Sequence, residues 1–503
     1  MLPTNNRLLQ GVQTALTRLS ELKLPEEARK IISNITLVTN ELRLREDRQF
    51  FLSLYQEGRA LLEEGNSLAA KSLPGPTVAA VSPPPARVPE SSADWLDAQR
   101  SEIGASLARL IPQLTQGTNN DTQVDEFLRR VVDWENRLYQ FRLSQAKTGQ
   151  DGDGEATTPE RFTPSSIKRY LEKRFPLRAP ITVTSLKALS GGFSKTTVLF
   201  DAHFNHESSE SWVIRAEQPL DLLFLDGARI DNEFHVLKLA SAAGLAVAEP
   251  LWLENDAREL GQRFLVSRKA KGSNFGSRIE VGAALSEELL GDLIGQLVRI
   301  HRTPIRPADE HVQHSHLRKW LPFPTLTECV AAQVQYWKEG AKRFNLPASP
   351  LLERGLEWLA ENVPENAAVP CLLHGDYGLH NILVENDRLS CVLDWEGATL
   401  GDPAEDLVWL IDGLRSRVDR SSILDAYAQM SGERMSEERL RYFEVFSSVR
   451  FAVVCPRALQ LFEAHPEVDI ASCELGLRFT YFGTGRMNES IALAEAARSQ
   501  RRT

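Results

Sequence analysis

Cysteine is scarce, with only Cys329, Cys371, Cys391, Cys455 and Cys473 in 503 residues. Their number is odd, no two form a CxxC pair, and most sit within apolar runs. This argues against a disulfide framework or a thiolate zinc site and reads as buried free thiols in a reducing compartment. Long apolar stretches are missing too, since none approaches the roughly 20 residues needed to span a bilayer. Met1 to Arg18 has no basic patch followed by an apolar core, so no secretory signal is read there. A cytoplasmic protein without a membrane partner is the expectation. Excess positive charge is also absent. The net charge of −10 argues against a nucleic-acid partner, though it leaves room for a local basic pocket that takes phosphates. What remains is a globular balance of 42% hydrophobic and 25% charged residues. The length calls for two to four compact units.

Two low-complexity stretches divide the chain. Residues 72–92 hold Pro74, Pro76, Pro83, Pro84, Pro85 and Pro89 among small residues, the composition of a semi-rigid extended spacer. Residues 147–160 begin KTGQDGDGEATT, polar and glycine-rich, and read as a flexible linker. Residues 1–71 and 93–146 both show apolar residues at helical spacing, for example Leu9, Val12, Leu16 and Leu19, then Val124, Phe127, Leu128 and Val131. No catalytic constellation falls in either. They read as all-α packing regions that offer a surface for self-association or a protein partner. Residues 161–268 carry the strand-like runs ITVTSLKAL, TTVLFDAHF and SWVIRAE, while 269–503 is mainly helical with short apolar runs around Leu373, Ile382 and Val392. Strands first and helices afterwards imply an α+β arrangement of a small sheet lobe and a larger helical lobe.

The strongest chemical signal is His374-Gly375-Asp376-Tyr377-Gly378-Leu379-His380-Asn381, a polar segment between two apolar runs. Kinase catalytic loops place a His two residues before the catalytic Asp and an Asn five after it, and both offsets occur here. The Asp receives or orients the acceptor's hydroxyl proton, and the Asn amide oxygen reaches Mg²⁺. Downstream, Val392-Leu393-Asp394-Trp395-Glu396 puts a carboxylate at the end of an apolar run, where kinases hold the metal between phosphates. Only seven residues separate Asp394 from Asp402, too few for a long activation segment, which favours a small-molecule acceptor over a protein.

With Gly401-Asp402-Pro403-x-x-Asp406-Leu407 added, the motif order resembles the aminoglycoside phosphotransferase family over roughly residues 181–482. The resemblance implies a bilobal protein-kinase-like phosphotransferase fold, here preceded by an all-α region. It also implies Mg²⁺ with ATP or GTP as co-substrate, and a small-molecule hydroxyl as acceptor, on a hydroxyacyl-CoA, an amino alcohol or an aminoglycoside-like compound. Asp376 would be catalytic, and Asn381 and Asp394 the metal ligands. Gly191, Gly192 and Ser194, in a turn between two strands, would approach the nucleotide phosphates. Arg215 stands where kinases carry a phosphate-binding Lys, keeping the charge with a different geometry. Glu233 would be its ion-pair partner, and Ser267 and Lys269 would flank the adenine. Two other readings stay open: a pseudokinase-like nucleotide-binding scaffold, and a phosphoesterase built on His374, Asp376, His380 and Asp394.

Other polar residues receive plainer assignments. Lys195 reads as either reaching a phosphate or pointing to solvent, with solvent favoured. His374 supports the loop backbone, His380 either lines the substrate mouth or packs the loop, and Asp406 braces loop N–H groups from a helix. Asp402 is placed behind the site. His311, His314 and His316 lack a carboxylate or thiol at ligand spacing and are not read as a metal site. Arg450, Arg457 and Glu463 are candidate contributors to the substrate wall, with no motif that sets them above ordinary helix-surface residues.

Overall fold

The computed structural model describes residues 48–72, 93–117, 122–145, 161–189, 195–205, 209–217, 228–275, 285–346, 349–464 and 470–502. Gly191, Gly192 and Ser194, expected to approach the nucleotide phosphates, therefore lie outside the described residues.

Among the described residues three helices come first: α1 (Arg48–Ser72), α2 (Ala93–Gly117) and α3 (Thr122–Gln145). Phe51, Leu54, Ile103, Leu107, Phe127, Val131 and Trp134 recur at helical spacing and bury into one shared core. The helices approach closely because α1 presents glycine where the large rings of α3 arrive. A Cβ on Gly58 would stand 2.6 Å from the Trp134 ring. The indole N–H of Trp134 donates to the Leu54 carbonyl at 2.7 Å, so the buried ring leaves no polar atom unmatched.

The sheet lobe follows. Helix α4 (Pro164–Arg174) starts at a Thr163 capping box and packs on β1 (Ile181–Leu189). β2 (Lys195–Phe204), β3 (Ser209–Glu217), β4 (Pro250–Glu254) and β5 (Phe264–Arg268) complete an antiparallel sheet in the order β1-β2-β3-β5-β4. Alternating side chains send Val198, Phe200, Trp212, Ile214, Phe264 and Val266 into one core, so the register is fixed by burial. Helix α5 (Ile230–Ala242) leaves the end of β3 and lies against β4 and β5.

The helical lobe contains β6 (Ser273–Asn274), α6 (Glu287–His301), α7 (Leu326–Arg343), α8 (Pro350–Glu361), β7 (Cys371–Leu373), β8 (Ile382–Glu385), β9 (Arg388–Val392) and β10 (Thr399–Gly401). It ends with α9 (Ala404–Leu414), α10 (Arg420–Ser431), α11 (Glu437–Ala464) and α12 (Ile470–Arg502). β7 pairs with β10, and β8 lies between β6 and β9. These small sheets carry the two polar segments singled out in the sequence: one joins β7 to β8, the other joins β9 to β10. The architecture is the bilobal kinase-like α+β fold with an all-α region ahead of it.

The N-terminal helices are anchored to the helical lobe. Buried Glu135 on α3 accepts hydrogen bonds from the Leu351 N–H at 2.7 Å and the Ser349 hydroxyl at 2.9 Å. It therefore caps the first turn of α8, where a carboxylate also meets the positive end of the helix dipole. Gln140 and Asp133 reach α12 through Gly485 and Asn488. No helix among the described residues is long and apolar enough to cross a membrane.

Candidate active site

The two loops are held side by side by backbone bonding. Leu393 N–H donates to the Asn381 carbonyl at 2.8 Å, which sets Asp394 beside Asn381 across the ends of β8 and β9. Gly375 adopts φ +79°, and a Cβ there would lie 2.1 Å from the Gly397 carbonyl oxygen. Only glycine allows the segments to approach this closely with that backbone. Asp394 itself has φ +62°, a left-handed conformation that Asp tolerates better than most residues and that turns its carboxylate out of the strand line.

Within the first loop the Asp376 carboxylate accepts from the Asn381 side-chain amide at 2.9 Å and lies 3.1 Å from His380 Nε2. The same Asn381 nitrogen donates to the Asp376 carbonyl at 3.0 Å, so both of its N–H bonds are directed at Asp376 and its amide oxygen remains for another partner. Burial pushes the Asp376 carboxyl up, but His380, His374 and Arg450 outweigh it and hold it below the usual carboxylate range. Asp376 is therefore ionised at neutral pH. Its side chain keeps about 35% of its surface, enough to meet an acceptor.

The loop backbone is braced from behind. Buried Asp406, near the start of α9, accepts from the N–H groups of His374 at 2.7 Å and Gly375 at 2.8 Å. His374 is fully buried; its Nε2 meets the Leu393 carbonyl at 2.9 Å and its Nδ1 accepts from the Asp376 N–H at 3.2 Å. Asp402 forms a two-pronged ion pair with Arg439 and accepts from the Ala404 N–H at 2.8 Å, which places it in the wall of the lobe rather than at the reacting centre.

Arg215 of β3 bridges the lobes. It lies 3.0 Å from buried Glu233 on α5 and 2.8 Å from Asp394. Burial works against its charge, but Glu233, Asp394 and Glu396 more than restore it. Burial also raises the Glu233 carboxyl despite Arg215 and Lys195 beside it. A second bridge corrects the expectation that Lys195 faces solvent. Lys195 is buried, pairs with Glu396 at 2.8 Å and donates to the Ala228 carbonyl. At the first position of β2, opposite Glu217, its side chain turns inward toward a carboxylate 201 residues away.

Ser267 is buried on β5 between Val213 and Pro250, and exposed Lys269 follows the strand with its N–H donated to Ser211. Both sit where the sheet lobe passes into the helical lobe. His311 meets His235 at 3.1 Å and His314 stacks on the same ring. Among the described residues no three His, Cys, Asp or Glu side chains gather as a metal cage. Sequence reasoning offered Arg450 as a candidate substrate-wall residue and missed its contact with the loop backbone. The side chain leaves α11 to donate to the Gly375 carbonyl at 2.8 Å and to pair with buried Glu405, and no local pattern distinguishes it from neighbouring helix arginines.

The residues present fit Mg²⁺. Asp394 and the Asn381 amide oxygen are hard oxygen donors, and Mg²⁺ commonly takes one or two such ligands and completes its shell with water and phosphate oxygens. Arg215 and Lys195 supply positive charge on the sheet-lobe side. A loop carboxylate, an oxygen pair that fits a metal and a braced cation spanning two lobes match the arrangement expected of a kinase-like phosphotransferase.

Comparison with known proteins agrees. The model of the phosphotransferase enzyme family matches residues 185–443, just over half of the chain. The chain belongs to this family of small-molecule kinases. It is 29% identical over 269 residues to acyl-CoA dehydrogenase family member 11 of Gallus gallus, a match covering 52% of this chain and 32% of that protein. The chain thus spans about a third of the length of that relative. It is 24% identical over 263 residues to hygromycin-B 4-O-kinase of Escherichia coli, covering 48% and 64% of the two chains. A solved structure from Ralstonia eutropha, described as an aminoglycoside phosphotransferase, shares 19% identity over 65% of this chain and 98% of its own, with a TM-score of 0.48.

Proposed function

We propose that the chain transfers the terminal phosphoryl group of ATP or GTP to a hydroxyl of a small molecule. The observation that carries this reading is the junction of the two loops: Asp376, Asn381 and Asp394 stand together, with Arg215 reaching Asp394 from the opposite lobe.

The geometry supports the following roles. Asp376 is ionised and half-buried, so it accepts the acceptor's O–H hydrogen bond and orients the oxygen toward the phosphorus. Its lowered pKa makes it a weak base. That suffices for a loose transition state, in which the hydroxyl proton departs late and positioning counts for more than deprotonation. Asn381 holds the Asp376 carboxylate in place. Asp394 and the Asn381 oxygen would hold Mg²⁺, whose charge, when bound, neutralises the nucleotide phosphates. Arg215, braced by Glu233, adds a fixed positive charge that needs no reorganisation during transfer.

The acceptor classes in question are hydroxyacyl-CoA compounds, amino alcohols and aminoglycoside-like compounds. The test is an acceptor screen with the full chain, Mg²⁺ and either ATP or GTP, reading phosphorylated product directly. Product on at least one acceptor supports the proposal. Nucleotide-dependent thermal stabilisation with no product across the screen would favour a nucleotide-binding scaffold instead.

A further inference from the structure

Gly375 comes immediately before Asp376 in the first loop, and charged side chains hold both of its backbone polar groups. Its N–H donates to the Asp406 carboxylate at 2.8 Å, and its carbonyl accepts from the Arg450 guanidinium at 2.8 Å. The two holders are linked. Arg450 pairs with Glu405, the residue before Asp406, so the first turn of α9 governs both ends of Gly375. The Arg450 side chain is 16% exposed and that of Glu405 6%, so little water reaches the pair to weaken it. The guanidinium also lies 5.7 Å from the Trp337 ring centre and 6.0 Å from that of Trp409, contacts that restrict it further.

The peptide that joins Gly375 to Asp376 needs such a hold. Glycine adopts left- and right-handed backbone with similar ease, and Gly375 sits at φ +79°. That peptide can therefore turn over at little local cost unless its polar atoms are tied. Its nitrogen end is tied by the Asp376 N–H, which donates to His374 Nδ1 at 3.2 Å, the long end of the usual range. Its oxygen end carries the bond from Arg450, which is charge-assisted and the stronger of the two. Turning the peptide over would break both bonds and swing the Asp376 carboxylate off the Asn381 amide that it meets at 2.9 Å.

Resting on the phosphotransferase reading above, we infer that Arg450 is a positioning residue for phosphoryl transfer. It locks the Gly375–Asp376 peptide so that the carboxylate faces the acceptor hydroxyl. It acts through the backbone, and Glu405 keeps the guanidinium aimed at the loop. A place on the acceptor would need a terminal nitrogen to spare, but Nη1 is engaged by Glu405 and Nη2 by the Gly375 carbonyl.

The test uses the full chain with Mg²⁺, ATP or GTP, and whichever hydroxyacyl-CoA, amino alcohol or aminoglycoside it phosphorylates. Arg450→Ala should lower kcat by about 10- to 100-fold, the effect of a slightly misplaced reacting group, with both KM values held within about twofold. Methylguanidinium at millimolar concentration should recover most of the lost kcat. Methylammonium should not, because only a guanidinium forks between Glu405 and the Gly375 carbonyl. Arg450→Lys keeps a cation opposite Glu405 and so guards the fold, yet one ammonium cannot serve both partners, and the same loss confined to kcat is expected. Wild-type kcat in a folded Arg450→Ala chain, or in Arg450→Lys if only that variant folds, would overturn the inference. So would a raised acceptor KM at unchanged kcat, which would put Arg450 on the acceptor, or a kcat loss that methylguanidinium leaves untouched. Each of these results leaves the phosphotransferase reading intact, whereas no product from the wild type with any compound would remove both.

Discussion

Replacing Arg215 with Met tests the bridge between the lobes. Met has similar length and packing but no charge. In the native protein Arg215 lies 3.0 Å from Glu233, whose side chain is 1% exposed, and 2.8 Å from Asp394. At an effective dielectric near 20, each contact at such distances corresponds to ~5 kcal/mol of attraction before desolvation. Removing one partner of a buried pair typically costs about 3–5 kcal/mol, since the other charge is left in a low dielectric. Glu233 can lessen that cost by taking up a proton, and burial already pushes its pKa up. A carboxyl with a raised folded pKa contributes stability below its unfolded pKa and loses it as pH rises toward the folded value. The difference between wild type and Arg215→Met should therefore grow between about pH 5 and pH 8, reaching the 3–5 kcal/mol range at the upper end. Urea unfolding at both pH values measures it, and Glu233→Gln in the same chain should restore most of the loss. A pH-independent loss that the second substitution does not repair would refute this reasoning.

Two other perturbations probe the loop and its wall. Gly375→Ala meets both the left-handed backbone and the Gly397 carbonyl; the backbone alone costs about 1–2 kcal/mol, and relief of the clash must separate the two loops. The kcat should fall by at least tenfold in a variant whose thermal unfolding midpoint shows it still folded; unchanged kcat would mean that the close approach does not position Asp376. Glu405 has its pKa lifted from 4.5 to about 7 by burial, so wild-type stability should decline by at most about 3 kcal/mol as pH rises through that interval, and Glu405→Gln should lack this slope in urea unfolding. Parallel pH profiles would show that Arg450 compensates the burial.

Much of the candidate site's arrangement was legible because kinase chemistry requires fixed local offsets. The His374, Asp376 and Asn381 spacing lies on one short loop, and the Arg215 and Glu233 order follows from a strand leading into a helix, so reading along the chain sufficed. Asp406 was legible as a brace because a motif carried it. Lys195 was misread because its environment is set by Ala228 and Glu396, far away in sequence, and a lysine at a strand start ordinarily faces water. The pairing of Arg450 with Glu405 was hidden for the same reason: it depends on how α11 crosses α9, a packing outcome with no sequence period of its own. The N-terminal helices were legible as helices from their apolar spacing. Their shared core, and the capping of α8 by Glu135, depend on long-range contacts that periodicity does not encode.

The shortest route to whether Asp376, Asn381 and Asp394 form a phosphotransfer centre is Mg²⁺-dependent transfer of labelled terminal phosphate from ATP or GTP to acceptor, comparing wild type with Asp394→Asn. The substitution keeps size and leaves the other loop intact. The prediction is a fall in turnover of at least about a hundredfold, the scale seen when one preorganised charge-stabilising group is lost, with an unchanged thermal unfolding midpoint in the absence of nucleotide. Wild-type turnover at saturating Mg²⁺ in a well-folded Asp394→Asn chain would contradict it.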